Sequence, residues 1–459
     1  MEVDAWLARA AAARPEHTAL RTPAGECSYA QLHAAARAGA AELAARGAGP
    51  GARVAIALPA GLELAQALHA CLLLGAVAVP VDLRLAPAER AHIADGAAVL
   101  VEEPLASADA LRVQPAPRDG LDGSPGSGLA DAAVHDLDAT AVVIHTSGTT
   151  AAPRPVELTY GNILWSALGS AVALGLDPQE RWLCALPLSH VGGLSILLRS
   201  AIYATTAVVH ERFETERVLL SLQAGEATLV SLVATTLARL LDAGLEQPPA
   251  LRCALTGGGP VPAALLARAA EAGVPVSLTY GLTESCSQAT TTPVAEIGGA
   301  RESAGTPLFC TRLRIAADGE ILVAGPTVAP AAAAVAADGW LHTGDLGELD
   351  ERGRLRVSGR KSDTIVSGGE NVAPAEVEAV LEAHPAVLEA AVLGRPDPRW
   401  GEAVTAIVVA RQGAELETEE LRAHCARALA PYKVPKRFVP ASEPLPRTRS
   451  GKLLRRELR

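Results

Sequence analysis

A run of hydroxyl residues around one glycine, His145-Thr-Ser-Gly-Thr-Thr150, follows directly on a short apolar stretch at 141–144. Thr146, Ser147, Gly148, Thr149 and Thr150 offer backbone N–H groups and side-chain hydroxyls that can wrap a polyphosphate. No Gly-Lys-Ser/Thr ends the run, so it is not a Walker loop, and alone it reads equally well as an ordinary turn. A second run, Tyr280-Gly281-Leu-Thr283-Glu284, follows apolar residues 274–278. Thr283 can donate to a phosphate and Glu284 can hold Mg²⁺, a hard cation that keeps phosphate company; a lone Glu after a strand is otherwise solvated. Upstream, Gly258 lies in Gly257-Gly-Gly-Pro260, a bend that lets backbone approach a planar ligand closely. Asp345 ends Trp340-Leu-His-Thr-Gly-Asp345, with Arg360 fifteen residues on. That carboxylate could accept the two hydroxyls of a ribose, with Arg360 as cationic partner; a purely structural Asp–Arg pair is the plainer alternative. Lastly, Pro446-Arg-Thr-Arg-Ser-Gly-Lys452 places a point charge in a basic tail, suited to a developing anion in phosphoryl or acyl chemistry.

The elements that must carry these residues alternate. Helical spacing at 29–46 and 62–74 is interleaved with strand-like runs at 53–58 and 76–81, a pattern that argues for an α/β fold with parallel strands. Pro, Gly, Ser and Asp dominate 103–138, which reads as a surface connection. Residues 346–357 read as a charged hairpin turning at 350–353. Beyond it come a helix at 374–383, strands at 387–393 and 403–410, and a helix at 418–429. These predict a small α+β unit, with a boundary near Arg360: residues 1–360 as a large N-terminal domain of mixed and parallel sheets flanked by helices, and 361–459 as a small mobile C-terminal domain.

Composition narrows the class. The 459 residues are 49% hydrophobic and carry a net charge of −11, enough for a large core and without the global basic field of a nucleic-acid binder. From residue 433 to the end, nine basic residues face two acidic ones, so the one basic region coincides with the Lys452 motif. No apolar stretch reaches the ~18 residues of a membrane helix. An acidic start and seven scattered cysteines without a CxxC pair predict a cytoplasmic protein in a reducing compartment. A homo-oligomer stays open.

Taken in order, these motifs resemble the adenylate-forming superfamily of acyl-CoA and aryl-CoA synthetases, luciferases and peptide-synthetase adenylation domains, over almost the whole chain. The resemblance implies an enzyme, an AMP-forming acid–thiol ligase using ATP, Mg²⁺ and CoA. Thr146, Ser147, Gly148, Thr149 and Thr150 would hold the phosphates. Thr283 would contact phosphate, Glu284 Mg²⁺, and Asp345 the ribose beside Arg360. Gly258, Tyr280 and Gly281 would border the adenine, and Lys452 would be the adenylation lysine. A hinge at Ser362 would swing the loop holding Gly368 and Gly369 toward the thiol tunnel, and Trp400 matches a position that helps hold CoA.

The pattern departs at Ala151-Ala-Pro-Arg-Pro155, where the superfamily usually has glycines and a lysine; a stiffer phosphate loop is expected. The segments 186–199 and 280–288 resemble 2-succinylbenzoate–CoA ligases of menaquinone biosynthesis, with His190 at the gate of the acyl pocket. A second substrate carboxylate needs a cation or several donors when partly buried. Ser195, Arg199, Arg239, Ser285, Ser287 and Gln288 are the candidates, although Arg199 and Arg239 read equally as surface residues of helices. A ligase for another aryl or acyl acid, or one loading a carrier protein, remains an alternative; so does a weakened nucleotide-binding protein, suggested by Ala151, Ala152 and Pro155.

Overall fold

A computed structural model describes residues 1–111, 133–146, 154–298, 303–334, 338–367, 370–447 and 453–458. It is α/β, as the alternation predicts. A nine-stranded sheet runs in the order 306–307, 290–291, 276–280, 253–256, 229–232, 181–184, 206–209, 18–22, 25–28. From Val276–Tyr280 through to Thr18–Thr22 its neighbours are parallel, and antiparallel strands close both ends. A five-stranded sheet, also mainly parallel, ends in the antiparallel pair Thr140–Thr146 and Arg154–Thr159.

The parallel strands Arg53–Ile56, Val77–Pro80 and Leu229–Leu232 are almost continuously apolar because both faces are covered. Helices Tyr29–Ala45 and Leu62–Leu74 fill the space between the sheets, their buried residues joined in one apolar cluster. The first begins at a capping box, Ser28 accepting from the Gln31 N–H while the Gln31 side chain accepts from the Ser28 N–H. The second ends at Gly75, whose φ of 72° only glycine adopts cheaply.

A four-stranded antiparallel sheet follows, ending in the hairpin Leu341–Leu349 and Leu355–Arg360. The turn falls where expected: Asp350 accepts from the N–H groups of Arg352 and Arg354 and pairs with the Arg354 guanidinium. The first strand begins five residues earlier than the sequence reading has it. The small C-terminal sheet joins Ile365–Ser367, Glu370–Val372, Val387–Asp397, Gly401–Ala410 and Arg437–Ala441, with helices Pro374–Glu382 and Thr418–Ala428 on it.

One expectation needs correcting. The 103–138 connection is structured at both described ends: Ala106–Leu111 forms a 3₁₀ helix with Leu105 and Leu111 buried, Val134–Asp136 pairs with Glu2–Asp4, and His135 is buried against Trp6 and Tyr160. Residues 112–132 lie outside the described part. All seven cysteines are free; six are buried and Cys310 is half-buried. No helix among the described residues is long and apolar enough to cross a membrane.

Candidate active site

Parallel strands deliver their loops to one edge, and ligands of open α/β sheets gather outside the carboxyl ends of the strands. Beyond those ends of the large sheet lie the segment leading to His190, the bend at Gly258, and the Tyr280–Glu284 run. Gly258 takes φ 79° and Gly257 packs so tightly on Thr279 that a side chain would collide with it.

Tyr280 ends its strand with the phenol donating to Asp345 Oδ2 at 3.0 Å. Across the hairpin, Arg360 Nε reaches Asp345 Oδ1 at 2.9 Å. Asp345 is 6% exposed, while Arg360 stays partly in solvent. The structural Asp–Arg pair therefore forms, and the Tyr280 hydroxyl joins it. Burial, and next the Asp345 charge, push the Tyr280 phenol far above its ordinary pKa, so it remains a donor. Each carboxylate oxygen has two acceptor directions, so a buried carboxylate held this way can still take ligand hydroxyls.

From Tyr280 the chain makes a compact loop. Gly281 passes so close to the Ser287 carbonyl that an added Cβ would sit 1.6 Å from the oxygen. Thr283–Ser285 form one 3₁₀ turn, capped by the buried Ser285, whose Oγ accepts from the Leu282 N–H and donates to the Leu282 carbonyl. Cys286 and Ser287 take positive φ, 53° and 88°, a conformation L residues adopt only where surroundings impose it. The Glu284 carboxylate is half-buried. Among the described residues no group of three or more His, Cys, Asp or Glu side chains is arranged to hold a metal ion by itself. One carboxylate suits an ion whose remaining ligands are phosphate and water oxygens, the habit of Mg²⁺.

The loop ends at a small cavity whose lining includes Val142, Leu158, Leu194, Ser195, Arg199 and Cys286. Arg199 is the unusual member. It is 2% exposed, and its Nη2 donates to Ser166 Oγ at 2.9 Å. Its guanidinium lies 5.6 Å from the Trp182 ring centre, and its Nε has no partner. Its opposite-sign titratable neighbours among the described residues are the Tyr203 phenol and Cys286 thiol, not a carboxylate. The surface reading of Arg199 is thus overturned: helix Val191–Tyr203 carries no other charge and is buried almost all round. Arg239 does lie on the exposed face of its helix, over the Phe213 ring, and does not line the cavity.

The remaining candidates scatter. Gln288 is buried, donating to Thr291 Oγ1 at 2.7 Å, and Ser287 is half-buried. His190 starts the helix bearing Arg199, with Nε2 3.9 Å from Asp82. Desolvation lowers the His190 pKa, Asp82 opposing. Asp82 is raised by burial but held below its ordinary value by hydrogen bonds from Arg84. Trp400 is half-buried with cations at its ring, Arg399 at 4.9 Å and Lys436 at 5.2 Å. Thr146 closes its strand opposite Arg154. Pro155 pairs with His145 in the last strand of the sheet, a place where a missing N–H is tolerated. Ser147, Gly148, Thr149, Thr150, Ala151, Ala152, Gly368, Gly369 and Lys452 lie outside the described residues. Motif reading passes over Asp82, Ser166, Trp182 and Lys436; only Ser166 and Trp182 had a signal, since a lone charge in an apolar helix must find buried partners.

The AMP-binding enzyme family matches residues 7–331, and the AMP-binding enzyme C-terminal domain matches residues 376–452. The 2-succinylbenzoate–CoA ligase of Bacillus subtilis (strain 168) is 40% identical over 99% of this chain and 97% of its own length. The corresponding ligase of Bacillus cereus (strain ATCC 10987 / NRS 248) is 39% identical over 99% and 98%. Among solved structures, o-succinylbenzoate CoA synthetase from Bacillus subtilis with the acyl-adenylate intermediate superposes with a TM-score of 0.88 at 38% identity, covering 100% of this chain and 98% of that one. The ATP-bound MatB from Rhodopseudomonas palustris reaches 0.86 at 28%, covering 100% and 98%.

Proposed function

Because the chain belongs to the family of AMP-binding enzymes, we propose that it is an ATP-dependent acid–thiol ligase converting 2-succinylbenzoate to 2-succinylbenzoyl-CoA, as in menaquinone biosynthesis. One observation carries the reading: the loop from Tyr280 to Cys286 has the Asp345 cluster at one end and the Arg199 cavity at the other. A nucleotide handle and an acid pocket are thereby joined through Thr283 and Glu284.

In this reading a carboxylate oxygen of the acid attacks the α-phosphorus of ATP and pyrophosphate leaves, giving the acyl-adenylate. The CoA sulfur then attacks the acyl carbon, its proton is lost, and AMP departs. Asp345 and Arg360 hold the ribose, Gly258, Tyr280 and Gly281 border the adenine, and Thr146, Ser147, Gly148, Thr149, Thr150 and Thr283 contact phosphate. Glu284 holds Mg²⁺, which when bound neutralises phosphate charge. Lys452 meets the charge that grows between acid and α-phosphate. His190 stands at the pocket entrance, and Trp400 with the Gly368–Gly369 loop serves CoA in the second step. We place the domain boundary at Arg360, with the small unit turning about Ser362.

Arg199 supports the choice of acid. A buried cation with an unpartnered Nε and, among the described residues, no carboxylate beside it suits a substrate bringing a second carboxylate. Ser195 lines the same cavity. Seven free thiols agree with a reducing, cytoplasmic setting. The test is mass spectrometry of reactions holding ATP, Mg²⁺, CoA and 2-succinylbenzoate, with benzoate and a medium-chain fatty acid in parallel. Succinylbenzoyl-CoA with AMP, in clear preference, is expected; another favoured thioester would move the substrate, and no AMP from any acid would sink the ligase reading.

A further inference from the structure

The tail is pinned on both sides of the five residues 448–452. Arg447 and Leu453 form an antiparallel bridge, and the Leu454 N–H donates to the Pro446 carbonyl at 2.8 Å. Arg447 pairs with Glu389 at 3.2 Å, and Leu453 packs with Leu458 against the small sheet. Those contacts fix position along the sheet; Arg455 fixes direction. Its Nη2 lies 2.6 Å from both oxygens of Glu378, whose side chain is largely buried and also accepts from the Val392 N–H at 2.7 Å. Its Nη1 reaches Asp363 at 3.4 Å.

Asp363 belongs to the 3₁₀ turn Lys361–Asp363, and the residue before that turn is Arg360, bound to Asp345. Two ion pairs on either side of a three-residue turn thus connect the Asp345 cluster to the tail. A planar guanidinium with five donors can clamp one carboxylate with one nitrogen and reach a second with another, whereas an ammonium is a point charge.

We propose that Arg455 is a positioning residue for adenylation: by bridging Glu378 and Asp363 it sets where the tail leaves the small sheet, and so where the neighbouring Lys452 ammonium is delivered. This rests on the reading of Lys452 given above.

The test separates the half-reactions in the full-length enzyme. For Arg455→Ala, acid-dependent ATP–pyrophosphate exchange should lose about tenfold or more in kcat, with KM for ATP within about twofold, since the lost interaction serves the transition state and not ground-state binding. CoA thioester formation from supplied acyl-adenylate should stay within about twofold, and this half-reaction also reports that the small unit is folded. Arg455→Lys, which keeps the charge and loses the clamp, should fall between; it serves as the test if the alanine variant does not fold. Equal losses in both half-reactions, or undiminished exchange, would overturn the proposal. Lys452→Ala is run beside it. If that variant retains exchange, the reading of Lys452 fails and the role of Arg455 with it; if it loses exchange while Arg455→Ala and Arg455→Lys do not, only the present proposal fails.

Discussion

Asp345 faces Arg360 because the hairpin ladder slips by one residue between them. Gly347 pairs with Val357, yet Leu346 pairs with Gly359, leaving Ser358 without a partner. In an unbroken register Asp345 would stand opposite Gly359, and Arg360 would fall one step away on the other face. The bulge therefore assembles the buried carboxylate, the guanidinium and the Tyr280 phenol.

Removing either charge should weaken nucleotide binding before it touches chemistry. For Arg360→Gln and Asp345→Asn, isothermal titration should show ATP affinity reduced about tenfold or more, as expected when a charge-assisted contact is lost. Unchanged affinity in Asp345→Asn would remove this carboxylate from the nucleotide site.

Arg199 should stand as a trade of stability for specificity. Its burial lowers its pKa, and a buried cation lacking a carboxylate costs folding energy. Arg199→Met should therefore unfold at an equal or higher temperature, while kcat/KM for 2-succinylbenzoate falls about a hundredfold, about 2.7 kcal/mol. Activity toward benzoate should change little. A lowered melting temperature with all acids equally affected would mark Arg199 as structural only.

Glu180 is a structural counterpart. It is buried, accepts from Arg252 Nε at 2.9 Å and from the Thr228 hydroxyl, and ties together the starts of neighbouring strands. Glu180→Ala leaves the half-buried Arg252 without its carboxylate and should cost about 3–5 kcal/mol in urea unfolding. Specific activity per folded molecule should be kept.

Acid should loosen the fold before it alters the site. Burial depresses His69 to about 4 and His135 to about 3, so both imidazoles are neutral in the folded chain. Between an unfolded value of about 6.5 and those figures, the unfolded chain holds more protons. Their stabilisation is complete above that pH and is lost as pH falls, by up to about 1.4 kcal/mol per unit for each imidazole. Urea midpoints measured from pH 7 to pH 5 should drop steadily, and His135→Phe should flatten part of the slope.

Local chemistry was legible wherever a residue acts through its own neighbourhood. Helix Leu62–Leu74 and the Asp350–Gly353 turn follow from spacing and turn-forming residues, and the Asp345 and Tyr280 motifs pointed to side chains that the fold brings together. What stayed hidden depends on packing between distant segments. Arg199 and Arg239 both lie on helices, one apolar nearly throughout and one amphipathic with Leu237 and Leu240 inward, so the same residue type ended buried in one and exposed in the other. The Ser358 bulge and the burial of His135 under Trp6 and Tyr160 leave no local trace at all.

The unequal exposure of the seven thiols gives the molecule a built-in reporter of its own opening. Burial lifts Cys27, Cys71, Cys184 and Cys253 to about 12, and Cys286 and Cys425 to about 11. Only the thiolate attacks an alkylating or disulfide reagent. In native protein the label should therefore settle at Cys310, slowly because its pKa is raised too, and a preparation that titrates beyond one thiol has begun to unfold.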